Sequence, residues 1–182
     1  MEALELDTLR SHALAGNAEA QYHLAKRYAT NDTTHRDYVQ AGHWWYRAAQ
    51  QGLAKAQYAL GILYANGHGV KTDYTQAVYW YRQAAEQGLA QAQYNLGTHY
   101  WLGEGVPRDP VAAVSWLHQA ADQGIPQAQY NLARLLEKGI GAPQDLEAAR
   151  EWDTRAAAQG LAAAQHHLRT ALDTLDRKPA NP

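Results

Sequence analysis

Two serines and nine histidines are the side chains with which this sequence could carry out nucleophilic catalysis or bind a metal ion. A hydrolytic serine needs an activating base one helical turn away, and the residues three positions after Ser11 and Ser115 are Leu14 and His118. Ser115 and His118 could therefore meet on one face of a helix. Because we expect no third group to orient the imidazole, the sequence predicts no catalytic residues and no enzyme activity.

The histidines do not have the spacing of a metal site on a helix. Zinc-binding helices place two histidines three or four residues apart, and no two of these nine have that spacing. The chain also contains no cysteine, which excludes thiolate zinc sites, iron–sulfur clusters and disulfides. We therefore predict neither a metal site nor a cofactor.

Charge and hydropathy exclude two further classes of partner. The chain has 16 basic and 18 acidic residues and a net charge of −2, so we expect no general attraction to phosphates and no nucleic-acid partner. No apolar run approaches the ~18 residues of a membrane span, and the first residues are acidic rather than those of a signal peptide. The expected location is cytoplasmic, or periplasmic or secreted if a signal peptide has been removed.

The elements that position these side chains recur every 36 residues. A period of this length is typical of a solenoid, in which each unit is stable only beside its neighbours. We predict a single array over residues 1–175 and a flexible tail over 176–182. The array consists of a leading cap helix at about 2–15, hairpins at about 18–51, 54–87, 90–123 and 126–159, and a closing helix at about 162–175. The period is unbroken in several sets of residues, among them Gly16, Gly52, Gly88, Gly124 and Gly160, and Gln21, Gln57, Gln93, Gln129 and Gln165.

Each hairpin is predicted to contain a helix A, with an apolar stripe such as Ala92, Leu96 and Tyr100, followed by a helix B. Helix B begins at a recurrent aspartate, and Gln76, three residues after Asp73, is expected to complete a capping box. Helix B ends at the recurrent glycine in a Schellman motif. We interpret the Gly-x-Gly segments between A and B as turns that need positive φ rather than as phosphate-binding loops.

The run Ala-Glu-Gln-Gly-Leu-Ala-Gln-Ala-Gln-Tyr-Asn-Leu-Gly from Ala85 to Gly97, followed by Tyr100 and by Gly-Glu-Gly-Val-Pro from Gly103 to Pro107, resembles the Sel-one-like repeat (SLR), a relative of the tetratricopeptide repeat. This resemblance implies an all-α fold, a right-handed α/α superhelix with a concave groove lined by the A helices. It also implies a role as an adaptor or scaffold for other proteins. Some members are linked to β-lactam binding or hydrolysis, but that branch is held by disulfides, which this chain cannot form.

Positions that vary between repeats indicate where a partner binds, because positions that the fold requires are filled alike. The variable positions of the A helices form one stripe at i, i+4, i+7 and i+11. Trp101 joins them because no other repeat has an aromatic residue at its position, as expected of a hot-spot anchor. The candidate groove residues are Glu19, His23, Lys26, Lys55, Gln91, Asn95, Thr98, Trp101, Gln127, Asn131 and Arg134.

Two further interpretations of this stripe stay open. Lys55, Asn95, Asn131 and Arg134 occupy positions similar to those from which tetratricopeptide clamps hold a peptide's terminal carboxylate. For any single residue, the alternative is an ordinary solvated helix face. The recurrent tyrosines, in contrast, are expected to pack between repeats: Tyr22, Tyr58, Tyr94 and Tyr130.

The sequence therefore predicts an adaptor that binds a partner peptide or protein in the groove of helix A. The alternative is an immunity or inhibitor protein that neutralises one bacterial toxin or effector, with its ends or the first helix B as the contact surface. A β-lactam-interacting enzyme is third, because neither serine is followed one turn later by a lysine. We expect a monomer or a weak dimer.

Overall fold

The computed structural model describes residues 2–30 and 36–176, and the side chains of 6–30 and 36–171. Within these ranges the chain forms ten α-helices and no strand, which confirms the prediction of an all-α repeat fold. The tail predicted over 176–182 lies outside the described residues except for Asp176, which ends α10. The helices are α1 (Glu2–Leu14), α2 (Ala18–Thr30), α3 (Tyr38–Gln50), α4 (Ala54–Asn66), α5 (Tyr74–Glu86), α6 (Ala90–Leu102), α7 (Pro110–Asp122), α8 (Pro126–Lys138), α9 (Leu146–Ala158) and α10 (Ala162–Asp176).

The helices alternate between the two predicted types after α1. Helices α2, α4, α6, α8 and α10 are A helices, and α3, α5, α7 and α9 are B helices. None of the helices in the described ranges has the length and apolar composition that a bilayer-spanning segment requires. The chain divides into two compact units, a first unit of residues 1–92 and 104–107 and a second unit of residues 93–103 and 108–182.

In the first unit, each of the helices α1 to α4 packs on the next one in the sequence. Fully buried alanines such as Ala41 and Ala48 let the helix backbones approach closely, and the indoles of Trp44, Trp45 and Trp80 fill the space between them. A buried large side chain contributes roughly 2–3 kcal/mol from its apolar area. Of the aromatic residues His43 to Tyr46 in α3, the two tryptophans therefore belong to the core of this unit, whereas Tyr46 is exposed.

The second unit repeats this packing from α7 to α10 with smaller side chains. Its core combines alanines with Leu117, Leu132, Leu135 and Trp152. Tyr94 packs against this core from α6, as Tyr22 does in the first unit. The recurrent tyrosine thus has the packing contact that its repetition predicts in both units.

The recurrent aspartate caps helix B, but it does not form the complete capping box that we expected. Asp73 Oδ1 accepts a hydrogen bond from the backbone N–H of Gln76 at 3.0 Å. The N–H of Asp73 donates to the carbonyl of Tyr64 in the preceding helix A at 3.0 Å. Since the Asp73 N–H is used to tie the two helices of one hairpin together, the side chain of Gln76 is not needed to satisfy it.

The predicted Schellman stop and glycine turns are both present. At the end of α3, Leu53 N donates to Ala48 O at 3.3 Å and Gly52, with φ of 85°, donates to Ala49 O at 2.9 Å. In the turn after α6, Gly105 also has positive φ, and a Cβ there would lie 2.2 Å from the carbonyl group of Tyr74. The second glycine of the turn is therefore required by close contact with the preceding helix B as well as by backbone conformation.

The recurrent glutamine joins successive helices through both ends of its amide. Gln57 is buried; its Nε2 donates to the carbonyl of Ala49 at 3.3 Å, and its Oε1 accepts from Gln87 Nε2 at 2.7 Å. Gln129 forms the equivalent bonds with Ala121 and Gln159 in the second unit. A buried amide whose NH₂ and carbonyl groups both have hydrogen-bond partners costs little free energy and specifies the helix register. The recurrent glutamine therefore serves the fold.

Candidate functional site

Three clefts in the described residues are built from the same four positions of the repeat. Two positions lie on one helix A, one on the following helix B, which forms the floor, and one on the next helix A. We name the clefts after a distinctive residue of each. The lysine slot has Lys26, Ala29, Trp45 and Ala59 at these positions, the tryptophan slot has Thr98, Trp101, Leu117 and Asn131, and the aspartate slot has Arg134, Glu137, Asp153 and His167.

The tryptophan slot, in the second unit, is a cleft of about 260 Å³ with one aromatic wall. Trp101 is half-buried against the core, and the Arg108 guanidinium lies over its ring at 4.6 Å from the centroid. Arg108 Nε also donates to the carbonyl of Trp101 at 3.1 Å, which holds the stacked arrangement. Leu117 and Leu135 complete an apolar surface beside the polar side chain of Asn131.

The lysine slot, in the first unit, has a volume of about 360 Å³. Its floor is the indole of Trp45, which is 9% exposed. Lys26 and Lys55 lie on its exposed rim, and both are predicted groove residues. Half-buried Tyr58 lines one side, so the recurrent tyrosine faces a cleft here in addition to its packing role.

The aspartate slot is the largest, at about 700 Å³, and its floor carries a charge. Asp153 is 1% exposed and its Oδ2 accepts hydrogen bonds from Arg134 Nη2 and from His167 Nδ1, the latter at 2.9 Å. Arg134 Nη1 contacts His167 Nε2 and donates to Glu137 Oε2 at 2.8 Å. Two carboxylates therefore share one guanidinium in this cluster.

Burial dominates the electrostatics of this cluster. The loss of water around Asp153 raises the pKa of its carboxyl above the ordinary value, although Arg134 and His167 act in the opposite direction. Asp153 Oδ1 and Arg134 Nε are both buried and have no hydrogen-bond partner within the described part of the chain. Each such group costs free energy relative to an apolar side chain of similar size. We therefore expect this cluster to make the fold less stable than apolar residues would.

The structure brings six of the predicted groove residues into these slots. Thr98, Trp101, Asn131 and Arg134 line the tryptophan slot, and Lys26 and Lys55 line the lysine slot. The other five lie outside the three slots; Asn95 is half-buried and the rest are exposed: Glu19, His23, Gln91, Asn95 and Gln127. Glu19 and His23 approach each other at 3.9 Å on α2.

Arg134 is not placed as a terminal-carboxylate clamp requires. Both of its terminal nitrogens already bind carboxylates of the chain, those of Asp153 and Glu137. The guanidinium would have to leave these partners before it could take a ligand's carboxylate. Among the four clamp-like positions, Lys55 is the cation with no carboxylate partner in the described residues.

Sequence reasoning missed the floor of the slots. The comparison of repeats was made on helix A, whereas Trp45, Leu117 and Asp153 lie on helix B. The signal was present, because the equivalent residues through the four repeats are Trp45, Tyr81, Leu117 and Asp153. An aspartate in an otherwise large and apolar column marks a position that departs from the needs of the core.

The expectation that no third group orients the imidazole of His118 is wrong. His118 does have an orienting group, since its Nδ1 lies 2.9 Å from Asp122 Oδ2, one turn further along α7. Both side chains are more than half exposed, and neither lines any of the three slots. In the residues that the structure describes, no group of three or more histidine and carboxylate side chains could hold a metal ion.

Comparisons with known proteins place these observations in a family context. A family model described as the Sel1 repeat matches residues 18–53, 54–89, 90–125 and 126–161. The structure is similar to that of a protective antigen from uropathogenic Escherichia coli that displays an SLR fold, with 43% identity and a TM-score of 0.85 over 90% of this chain and 35% of that one. No curated protein matches the chain.

Two further solved structures are similar. A Sel1 repeat protein from Oxalobacter formigenes is 34% identical, with a TM-score of 0.81 over 91% of this chain and 48% of that one. An immunity protein from Pseudomonas aeruginosa is 27% identical, with a TM-score of 0.56 over 83% of this chain and 55% of that one. The chain thus spans between about a third and just over half of the length of these three proteins.

Proposed function

Because the chain belongs to the Sel1 repeat family, whose members generally mediate protein–protein interaction, we propose that it binds a partner protein through the slots of its repeats. The resemblance inferred from the sequence is confirmed by the four matching repeats. The fold is of a kind that generally serves as an interaction scaffold rather than as an enzyme, and we propose no reaction for it.

The tryptophan slot is the observation that carries this proposal. Trp101 meets no requirement of the repeat, since Ala29, Ala65 and Glu137 occupy its position elsewhere, yet it is held in place by Arg108 beside an apolar cleft. A preorganised aromatic surface of this kind is typical of binding hot spots. An apolar side chain of the partner would lie against the indole and Leu117.

The polar wall of the same slot gives the partner's backbone a place to bind. Asn131 presents both a donor and an acceptor, and it is half-buried beside the apolar surface. An extended segment that inserts an apolar side chain would bring its own N–H and carbonyl groups within reach of this amide. The slot therefore suits a peptide segment better than a purely apolar ligand.

Substitution of the slot tests the proposal. Partners that copurify with the full chain are identified by mass spectrometry, prepared in pure form and titrated calorimetrically against the wild type and against the variant Trp101→Ala/Asn131→Ala. We expect the double variant to weaken binding by at least about 2 kcal/mol, as loss of a hot spot does. Val111→Ala is the control, because Val111 is an apolar residue of the same unit that is 66% exposed and lines none of the slots. Equal binding by the double variant and the wild type would contradict the assignment of this slot.

A second candidate function is that of an immunity or inhibitor protein. It is favoured by one observation, the similarity to the Pseudomonas aeruginosa protein described as an immunity protein. An inhibitor is expected to have a single partner with nanomolar affinity and to abolish its toxicity, whereas an adaptor binds several segments at micromolar affinity. The gene of the identified partner is expressed with and without this chain, and growth is measured. Rescue of growth from a toxic partner indicates an inhibitor, whereas an adaptor gives no such rescue.

A further inference from the structure

We propose that the lysine slot binds a carboxylate group of the partner protein, held by Lys26, Lys55 and the indole N–H of Trp45. The inference rests on the proposed function, because it names the chemistry of the partner at one of the slots. The carboxylate belongs either to an aspartate or glutamate side chain or to the end of the partner's chain.

Among the described residues that line the slot, the charged side chains are two lysines. Lys26 lies on α2 and Lys55 on α4, and both side chains are exposed at the mouth. The described residues that line the slot include no aspartate and no glutamate. Neither lysine forms an ion pair with another described residue. The two ammonium groups thus remain available to an anion that enters between the helices.

The floor adds a buried donor. Trp45 is more than nine-tenths buried, and its Nε1–H has no acceptor among the described residues. An indole nitrogen can only donate, and leaving it unsatisfied costs free energy. Because this nitrogen has almost no accessible surface, a ligand's acceptor recovers that free energy only when the side chains around the indole move aside to admit it. Trp80 also has an unpaired N–H, but Trp80 lines none of the three slots.

The remaining walls favour a carboxylate that is attached to an apolar stem. Tyr58, Ile62 and Leu63 line the slot around the indole, and the methylene groups of an acidic side chain would contact them as the carboxylate reaches the floor. The floors of the lysine and aspartate slots therefore differ in chemistry, since one is the indole of Trp45 and the other is a carboxylate that Arg134 and His167 already bind.

The experiment follows the indole N–H of Trp45 in the full chain by NMR. This signal is assigned with Trp45→Phe and titrated to millimolar concentration with three peptides at constant ionic strength. The probes are N-acetyl-Leu-Glu-Leu-amide, the same peptide with Gln in place of Glu, and the Gln peptide with a free terminal carboxylate. We expect the Trp45 signal to shift with a peptide that carries a carboxylate and not with the neutral peptide.

The lysines are tested by matched substitutions. Lys26→Ala and Lys55→Ala should each weaken the binding of the active peptide by up to roughly fivefold, the range for exposed ion pairs, and the double variant should abolish the shift. Lys71→Ala is the control, because it removes the same charge from an exposed residue of the first unit that does not line the slot. It should leave the affinity within about twofold of the wild type.

The outcomes separate the two sources and the two proposals. A shift with the Glu peptide alone assigns a side-chain carboxylate, and a shift with the free-terminus peptide alone assigns a chain end; either supports the inference. Equal shifts with all three peptides, or none with any, overturn it. The proposed function is judged independently, by the effect of Trp101→Ala/Asn131→Ala on binding of the purified partner.

Discussion

We expect the second unit to become more stable when the buried charges of the aspartate slot are exchanged for the residues of the tryptophan slot. The exchange is Arg134→Thr, Asp153→Leu and His167→Asn, which copies Thr98, Leu117 and Asn131 from equivalent positions of the repeat. Because all three new residues already occur in this environment one repeat earlier, the fold accepts them in the same register.

The magnitude follows from the burial of the pair. Asp153 has a side chain that is 2% exposed and Arg134 one that is 19% exposed, so both lose most of their hydration. Replacement of a buried ion pair by well-packed apolar residues commonly changes stability by between zero and about 4 kcal/mol in the stabilising direction. Glu137 loses its partner, but at 37% exposure its carboxylate returns to water. We expect a net gain of about 1–3 kcal/mol.

Removal of the carboxylate alone should have the opposite effect. Asp153→Ala leaves the guanidinium of Arg134 and the imidazole of His167 without their buried acceptor and creates a cavity. Breaking a buried pair from one side costs about 3–5 kcal/mol. Urea unfolding followed by circular dichroism measures both changes, and hydrogen exchange in α8, α9 and α10 shows whether they are local. A triple variant less stable than the wild type by more than ~1 kcal/mol would refute the reasoning, because the cluster would then be a net stabiliser.

The difference in stability between the wild type and the triple variant should depend on pH in a direction that the burial of Asp153 determines. The pKa of Asp153 is raised above its ordinary value of 3.8 because the folded protein buries the carboxyl. The folded state therefore holds this proton to higher pH than the unfolded state, and its contribution to stability falls as the pH rises from about 3.8 through the raised pKa. The stability advantage of the triple variant should accordingly grow across this window and level off above it. An advantage that shrinks with rising pH would show that Arg134 and His167 outweigh burial.

Two further predictions concern the fold. Gly61→Ala should destabilise the first unit by about 1–3 kcal/mol in thermal melts, because its Cβ would lie 2.4 Å from the ring of Tyr81. Gly42→Ala should change stability by less than about 1 kcal/mol, because its Cβ would meet only the Cδ1 end of Leu63, at 3.0 Å. Trp80→Ala should lower the free energy of unfolding in urea by about 3–5 kcal/mol, since Trp80 is 5% exposed. Tyr79→Ala should lower it by less than about 1 kcal/mol, because Tyr79 is 51% exposed. Similar losses for both variants would contradict the assigned core.

Most of the fold could be predicted from the sequence because its signals are local. Asp73 at a helix start and Gly52 at a helix end each act within one turn of chain, and their backbone partners are close in sequence. The exception is instructive, since the N–H of Asp73 binds Tyr64 on the neighbouring helix rather than Gln76. A contact between helices competes with a local one, and the sequence pattern does not reveal which of them forms.

The candidate site was predictable only in part, because its floor comes from another helix than its walls. The stripe on helix A includes Lys26, Thr98 and Arg134, which do line slots. Periodicity predicts which face of helix A is variable, but it does not tell which residue of helix B lies beneath that face. The engagement of Arg134 by Asp153 depends on this contact and changes the chemistry that Arg134 can offer.

The floor position also limits the rule that invariant positions serve the fold and variable positions serve a partner. The residue at this position differs between repeats, as Trp45, Leu117 and Asp153 show, yet all three are buried. The position therefore serves both the core and the cleft. A change of ligand chemistry at the floor must therefore change stability, as the aspartate slot illustrates with its unsatisfied Oδ1. If the triple variant gains stability, the charged floor of this chain carries a stability cost. The repeat fold does not account for a destabilising charge at a position that lines a cleft, whereas a role in binding does.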